Sequence, residues 1–430
     1  MALLLKNIHI IDPQTSRNEI CDLVIRDGKY AEIGQNCSIP KGVTIDCEGK
    51  IALPGLVDMH GHLREPGYEY KETIASGARS AAVGGYTDIC CMPNTNPVAD
   101  EASIIASIVE KAAEQSACRV HPFGAITRGL KGEKLTEMFE LKEAGAVALS
   151  DDGRGVQSAK MMRAAFDYAK MFDLLLVAHS EDESLAGKGC VHEGIASTIL
   201  GLPGQPGEAE SIAVLRDIAL AELTGARLHV AHVSSRHTVE AIRDAKKRGV
   251  LVSAEVTPHH LFLNETNLDT SYNTNLKVNP PLRSKEDQAA LIEGLLDGTL
   301  DIIATDNAPH APQDKECEFE LAAYGTIGYE TALPLVITHL VLSGRMSYEQ
   351  VAEAMAIKPR ALLGLPARAI EIGAPADLTI VDPTKQKTYT AGGFTSCAQN
   401  SAFIGTTLFG CITDVIVDGY HTLQDGKVVA

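Results

Sequence analysis

The chain has 430 residues, 45% hydrophobic and 22% charged, an ordinary globular composition with length for one large domain and a smaller one. Its formal net charge of −18 argues against nucleic acid or an anionic membrane as partner, and an anionic substrate would have to be drawn by a few local cations. No early apolar run approaches a signal-peptide core or a membrane span, and the ten cysteines include no Cys-x-x-Cys pair, so a reduced, cytoplasmic protein is expected.

Residues 1 to about 53 carry short alternating runs (LLLKNIHII, CDLVIRDG, VTIDCEGKIA) between turn residues, which predict short antiparallel strands. The stretch PGLVDMHGHLREPG (54–67) follows, an apolar strand closed by His60-Gly61-His62. Alternate strand residues face the same way, so both imidazoles can hold one cation, with Gly61 leaving room for close approach. Two solvent-facing histidines at a strand end are the other reading of that triplet, and the rest of the chain has to decide.

Apolar runs then alternate with amphipathic stretches: YTDICCMP before ASIIASIVEKAAEQ, AVALSD before SAKMMRAAFDYAKMF, LLLVAHSE, RLHVAHVSS before HTVEAIRDAKKRG, VLVSAEVTPHH and DIIATDNAPH. Repeated β-α units imply a parallel sheet, and about 310 residues suffice for a (β/α)8 barrel, where ~250 is typical. ADLTIVDP and DVIVDGYHTLQDGKVV return to β-ribbon near the end. The expected division is a barrel over 54–365 and a small β-sandwich domain from 1–53 and 366–430.

His62, Asn94, Asp152, His179, His232, His259 and Asp306 each follow a strand-like run by a few residues. That is where parallel barrels carry catalytic groups. A solvated or capping residue explains any one of them, but the explanation must be repeated at every strand. Imidazole with carboxylate suits zinc, and a carboxylate can bridge two such ions. His9, His192, His237, His339 and His421 are expected to be surface or packing residues, and His121 matches no metal role. His229, three before His232, is expected on the opposite face of its strand.

The motifs DMHGHLREPG (58–67), MPNTNP (92–97), SDDG (150–153), AHSED (178–182), HVSS (232–235), TPHHL (257–261), NPPLR (279–283) and TDNAPH (305–310) span nearly the whole chain. Through them it resembles the cyclic amidohydrolases of the amidohydrolase superfamily, and within them the type I bacterial dihydroorotases. The resemblance implies reversible cyclisation of N-carbamoyl-L-aspartate to L-dihydroorotate in pyrimidine biosynthesis, with one or two zinc ions per subunit. It implies that His60, His62 and Asp306 bind one zinc, that His179 and His232 bind the second, and that Asp152 bridges them. Zinc-activated water would be the nucleophile, and Asp306 would carry its proton to the ring nitrogen. Arg64, Asn94 and His310 would bind the substrate carboxylate, Asn279 and the backbone at Tyr324 and Gly325 the ring amides, with His62 also touching substrate. Taken alone, Arg64 equally suits a surface ion pair, and Asn94 equally suits the turn in PNTNP.

Hydantoinases, dihydropyrimidinases and allantoinases carry a carboxylated lysine at the bridge; this chain has no lysine between Lys142 and Lys160. Asp151 and Asp152 are adjacent, so only one faces the metals, and the resemblance favours Asp152. Asp151 would stand behind it or cap a helix, while His259 and His260 would stand behind the ligands. Departures are modest: Ala323, Tyr324 and Tyr329 stand where relatives more often have Pro, Phe and Leu, and Gly61 where Val is frequent. The charged segment 311–326 is expected to be a lid. The alternatives are another cyclic amidohydrolase of those three types, or a catalytically silent scaffold for aspartate transcarbamoylase; association with that enzyme is compatible with activity. A homodimer is the expected oligomer.

Overall fold

The computed structural model describes residues 2–429, so the outermost residue at each end of the expected β-domain lies outside it. The chain opens with β1 (Leu3–Asp12), β2 (Arg17–Arg26), β3 (Lys29–Gly34), β4 (Val43–Asp46) and β5 (Ile51–Pro54). Then come β6 (Leu56–Asp58), β7 (Tyr86–Cys91), β8 (Arg119–Gly124), β9 (Ala148–Ser150) and β10 (Leu175–Ala178). A parallel two-residue pair, β11 (Val191–His192) and β12 (Gly204–Gln205), precedes β13 (Leu228–Val230), β14 (Val252–Val256) and β15 (Ile302–Ile303). The last strands are β16 (Leu378–Thr388), β17 (Thr407–Val417), β18 (Tyr420–Gln424) and β19 (Lys427–Val428).

Strands β6 to β10 and β13 to β15 pair in chain order as an eight-stranded parallel sheet. Its two edges meet at a single bridge between Gly61 and Asn307. Beside that bridge the buried Asp58 carboxylate accepts the Thr305 N–H at 2.7 Å and the Thr305 hydroxyl at 2.9 Å. The result is a nearly closed barrel whose seam is held by this one backbone bridge and by the Asp58 side chain. Burial pushes the Asp58 carboxyl up to about 8 despite these two donors.

Strand alternation sorts the apolar residues into two layers. Val57, Cys90, Phe123, Ala148, Leu175, Val177 and Ile302 pack together, while their neighbours Leu56, Ile89, Cys91, Leu149, Leu176 and Ile303 pack with the helices. The helices are fixed locally by their caps: Ser158 accepts from Met161 N, Ser235 from His237 N and Ser284 from Asp287 N. Helix Arg236–Lys247 buries Thr238, Val239, Ile242 and Ala245, a stripe at helical spacing, and ends on Lys246 and Lys247. Among the described residues no helix is long and apolar enough to cross a membrane.

β16 pairs antiparallel with β5, so the two ends of the chain merge into one nine-stranded sheet in the order β19-β18-β17-β16-β5-β1-β2-β3, with β4 on β1. It has a core of its own, including Leu5, Ile8, Leu23, Ile25, Leu378, Ile380 and Ile416. Buried ions tie this sheet to the barrel. Arg119 on β8 holds Asp88 on β7 through two bonds of 2.9 Å, reaches Asp418 at 2.8 Å and also bonds Asp377, while Arg360 bonds Asp88. Burial pushes Asp88 up, but His121, Arg119 and Arg360 more than offset it and hold the carboxyl well below its usual range. His121, 2.9 Å from Asp88, is thus committed to this ion cluster.

Candidate metal centre

The barrel strands deliver the expected residues to one place. β6 runs on into His60 and His62, and Asp152, His179, His232 and Asp306 lie just beyond β9, β10, β13 and β15. All six are buried. His60 Nε2 lies 3.4 Å from Asp152 Oδ1 and 3.5 Å from Asp306 Oδ1, and His62 Nε2 lies 3.1 Å from Asp306 Oδ1 and 3.6 Å from Asp152 Oδ2. His179 Nδ1 and His232 Nε2 stand 3.5 and 3.9 Å from Asp152 Oδ1, and 2.9 Å from each other. Asp152 is therefore in reach of four imidazoles, and Asp151 of none. Asp151 instead accepts the N–H groups of Ile126 and Thr127 at 2.8 and 2.9 Å and the Thr127 hydroxyl, fastening the loop after β8 rather than capping a helix.

The donor atoms of His60, Asp152 and His232 lie within 4.8 Å of one another, as do those of His60, His62 and Asp306. His60 Nε2 and His232 Nδ1 are buried without a hydrogen-bond partner. A buried imidazole nitrogen left unpartnered is costly in a folded protein, and His60 Nε2, which faces Asp152 and Asp306, would be satisfied by a divalent cation held among these groups. Burial pushes Asp152 and Asp306 up, but surrounding imidazoles more than offset it: His179, His232 and His60 for Asp152, His60 and His62 for Asp306. Both stay ionised. His60 is displaced the other way, raised by Glu255, Asp306 and Asp152 against its own burial.

Local backbone geometry aims these groups. His232, Asp306 and Arg64 adopt φ of 32°, 46° and 60°, a left-handed region costly for residues with a Cβ and frequent at functional sites. The turn at His232 also breaks strand alternation, which corrects the expectation for His229. Its Nε2 lies 3.1 Å from Glu255 Oε2, while the His232 N–H donates to Glu255 Oε1 at 3.2 Å, so both residues reach one carboxylate. Gly61 is required by close approach: a Cβ there would sit 2.0 Å from the Tyr329 hydroxyl.

Glu255 was not anticipated. Fully buried on β14, it accepts from His60 Nδ1 at 2.5 Å and so points His60 Nε2 at the cluster. The available signal was a lone carboxylate inside the apolar run VSAEV, on the same strand face as Ser253 and Thr257. Asn94 does the equivalent for His62: its Oδ1 is 3.1 Å from His62 Nδ1 and its Nδ2 donates to Asp152 Oδ2 at 2.9 Å. His259 is buried, and burial pushes it down to about 4; His260 bonds Thr257 and the Pro280 carbonyl.

A cavity of about 250 Å³ opens above the cluster. Five of the six ligand candidates line it, His60 lying beneath, together with Arg64, Asn94, Asn279, His310, Tyr324 and Gly325. Arg64 Nε donates to the Pro309 carbonyl at 3.1 Å, and its Nη2 lies 3.3 Å from His310 Nε2. Burial, then Arg64, Lys71 and Lys315, push His310 down to about 2, so it is neutral, its Nε2 donating to the Tyr324 carbonyl at 2.8 Å. Lys71, 3.3 Å from His310 Nδ1, and Glu181, which accepts from Asn279 Nδ2 at 3.0 Å, were also missed from the sequence. The backbone at 324–325 is already engaged: Gly325 N–H donates to the Lys277 carbonyl at 2.8 Å, and the Gly325 carbonyl accepts from Lys315 and Asn400. The Tyr324 carbonyl, which accepts from His310, retains a second lone pair for a ligand.

A family model described as Dihydro-orotase-like matches residues 49–238. The chain is 48% identical over 427 residues to a protein of Acetivibrio thermocellus named dihydroorotase, covering 99% of this chain and 98% of that one. It is 48% identical over 425 residues to a dihydroorotase of Pelotomaculum thermopropionicum, covering 99% of each. Among solved structures it is similar to the L-hydantoinase (dihydropyrimidinase) of Arthrobacter aurescens, with a TM-score of 0.88 and 27% identity, covering 100% of this chain and 97% of that one.

Proposed function

The chain belongs to the dihydroorotase family, and from that footing we propose that it is a zinc-dependent enzyme of the bacterial type I branch. It interconverts N-carbamoyl-L-aspartate and L-dihydroorotate in pyrimidine biosynthesis. The observation that supports this most is Asp152, an ionised carboxylate between two histidine pairs, where hydantoinase-type relatives are expected to need a carboxylated lysine. Zinc, when bound, supplies a water of pKa ~7 and a Lewis-acid hold on the scissile carbonyl. His60, His62 and Asp306 would hold one ion and His179 and His232 a second, with Asp152 shared between them.

The protein's own groups do the rest. Asp306, ionised and beside His62, is placed to take the proton of the water that attacks the ring carbonyl. As the C–N bond breaks it gives that proton to the departing ring nitrogen, and in ring closure it removes the proton from the same nitrogen. Arg64 offers a planar fork to the ring carboxylate, with Asn94 and neutral His310 beside it. Asn279 and the backbone at Tyr324 and Gly325 orient the ring amides. We read the molecule as a barrel domain over 54–365 and a β-domain from 1–53 and 366–430, whose sheet folds over its own core as a sandwich, assembled as a homodimer.

The test is ring opening of L-dihydroorotate, dihydrouracil and hydantoin by purified, zinc-supplied protein, with metal content measured on the same sample. Turnover of dihydroorotate alone, abolished by chelation, is the expected result. Preferential turnover of hydantoin or dihydrouracil overturns the reading.

A further inference from the structure

The segment 311–326, whose end lines the cavity, rests on two lysines that the proposed chemistry does not use. Lys277 and Lys315 are 2% and 5% exposed, as buried as core residues. Their ammonium groups donate to backbone carbonyls of this segment: Lys315 Nζ to Ala323 at 2.7 Å and to Gly325 at 2.9 Å, Lys277 Nζ to Glu320 at 2.9 Å. Among the described residues neither forms an ion pair with a carboxylate. Lys277 Nζ also stands 4.4 Å over the Tyr324 ring, and the Tyr324 hydroxyl donates to the Gly189 carbonyl at 3.0 Å. Two cations are thus kept in the interior of a chain of net charge −18 with backbone and an aromatic face as their company.

Burying a lysine without a counter-ion is expensive, so a fold that needed only to tie down a loop would use neutral groups. Burial, and then the Lys277 ammonium, push Lys315 down to about 7 against the pull of Cys317 and Asp314. Burial likewise lowers Lys277, against Cys190, Cys317 and Glu320. The carbonyls that Lys315 grips belong to the two residues flanking Tyr324, and the Tyr324 carbonyl in turn accepts from His310. Grip and site are therefore one bond apart.

We propose that Lys315, supported by Lys277, is a positioning residue: a buried cationic latch that holds residues 323–325 over the cavity and so determines how tightly the site keeps its anionic substrate. Lys315 touches no reacting atom; it acts through Tyr324, Gly325 and His310, and its field adds to that of Arg64 and Lys71 at the same end of the cavity. This rests on the dihydroorotase reading for its substrate, but the latch itself can be tested without turnover.

The experiment compares wild type, Lys315→Met and Lys315→Arg as full-length, zinc-loaded proteins in two assays. One measures KM and kcat for L-dihydroorotate; the other follows cleavage by a glutamyl endopeptidase at the exposed Glu316, Glu318 and Glu320, identified by mass spectrometry. Lys315→Met should raise KM at least about tenfold with kcat within about threefold and zinc content unchanged, and should speed cleavage at these sites. Lys315→Arg, keeping the charge, should recover part of both effects. Cleavage and KM within twofold of wild type overturn the proposal; so does faster cleavage with unchanged KM, or a raised KM with unchanged cleavage. If Lys315→Met does not fold, Lys277→Met carries the same comparison through the Glu320 carbonyl. If wild type lacks dihydroorotase activity, the cleavage assay still decides the latch while the functional reading fails by itself.

Discussion

Replacing Glu255 by Gln should weaken zinc binding without unfolding the protein. Glu255 Oε1 accepts from His60 Nδ1 at 2.5 Å and from the His232 N–H at 3.2 Å, and Oε2 faces His229 Nε2 at 3.1 Å. A glutamine can keep its oxygen on the first pair and turn its amide toward His229, whose other nitrogen is 2.8 Å from the Ser253 hydroxyl and can hold the proton instead. Shape and hydrogen-bond count are then preserved and only the charge behind His60 is lost. Changes to such outer partners typically cost 10- to 100-fold in metal affinity, or about 1.4–2.7 kcal/mol. The assay is a competition titration of apo protein with zinc against a chromophoric chelator, beside a thermal melt. His229→Ala, which leaves the His60 bond in place, is the control and should stay within about threefold of wild type. Zinc affinity of Glu255→Gln within twofold of wild type would refute the assignment of Glu255 as the group that aims His60.

Asp306→Asn should keep most of its zinc while turnover falls by about 10²–10⁴; near-normal turnover in a steady-state assay removes Asp306 from proton transfer. Gly61→Val should be destabilising, by about 1–3 kcal/mol or more, because a Cβ at 61 would meet the Tyr329 hydroxyl at 2.0 Å. Tyr329→Leu should relieve it, and additive denaturation energies in a double-mutant cycle would show that the two positions are uncoupled. Asp217, 1% exposed with Arg216 as its ion-pair partner, is pushed up to about 6 by burial. The folded state therefore holds this proton more tightly than the unfolded state, whose carboxyl ionises near the ordinary 3.8, and wild type loses stability as pH rises through that window. Asp217→Asn carries no such cost, so its stability relative to wild type should increase between pH 4 and pH 7 by up to about 3 kcal/mol; a pH-independent difference in urea unfolding would contradict this.

The barrel and the cluster at its end were legible because most of these residues close a periodic apolar run, and periodicity is what a sequence displays best. The rule that a parallel barrel works at the C-terminal ends of its strands picked out His62, Asp152, His179, His232 and Asp306 together with Asn94 and His259; the choice of ligands among them came from the resemblance to the amidohydrolases. Glu255 was hidden because a single carboxylate inside VSAEV is indistinguishable, without its partners, from a solvent-facing strand residue. His229 was misplaced because alternation assumes an unbroken strand, and the left-handed turn at His232 ends that assumption. Lys315 lies in the stretch QDKECEFE, whose charge density suggests a solvated loop, yet its ammonium is drawn inward by carbonyls eight and ten residues on. The seam of the barrel was equally silent, since β15 has only two residues and Asp58 makes the junction with a side chain.

The union of β5 with β16 has a consequence for how the protein is made. Leu53 pairs with Thr379, so the first strands to leave the ribosome wait for nearly the entire chain before one edge of their sheet is covered. The barrel has no such delay, because its neighbours in space are its neighbours in sequence and it can zip up as it emerges. During synthesis the protein is therefore a growing barrel trailing an open β-edge, the kind of surface on which nascent chains aggregate. A stop codon shortly before β16 should leave a barrel nearly complete in sequence that recruits chaperones or precipitates, its earliest strands still unpaired.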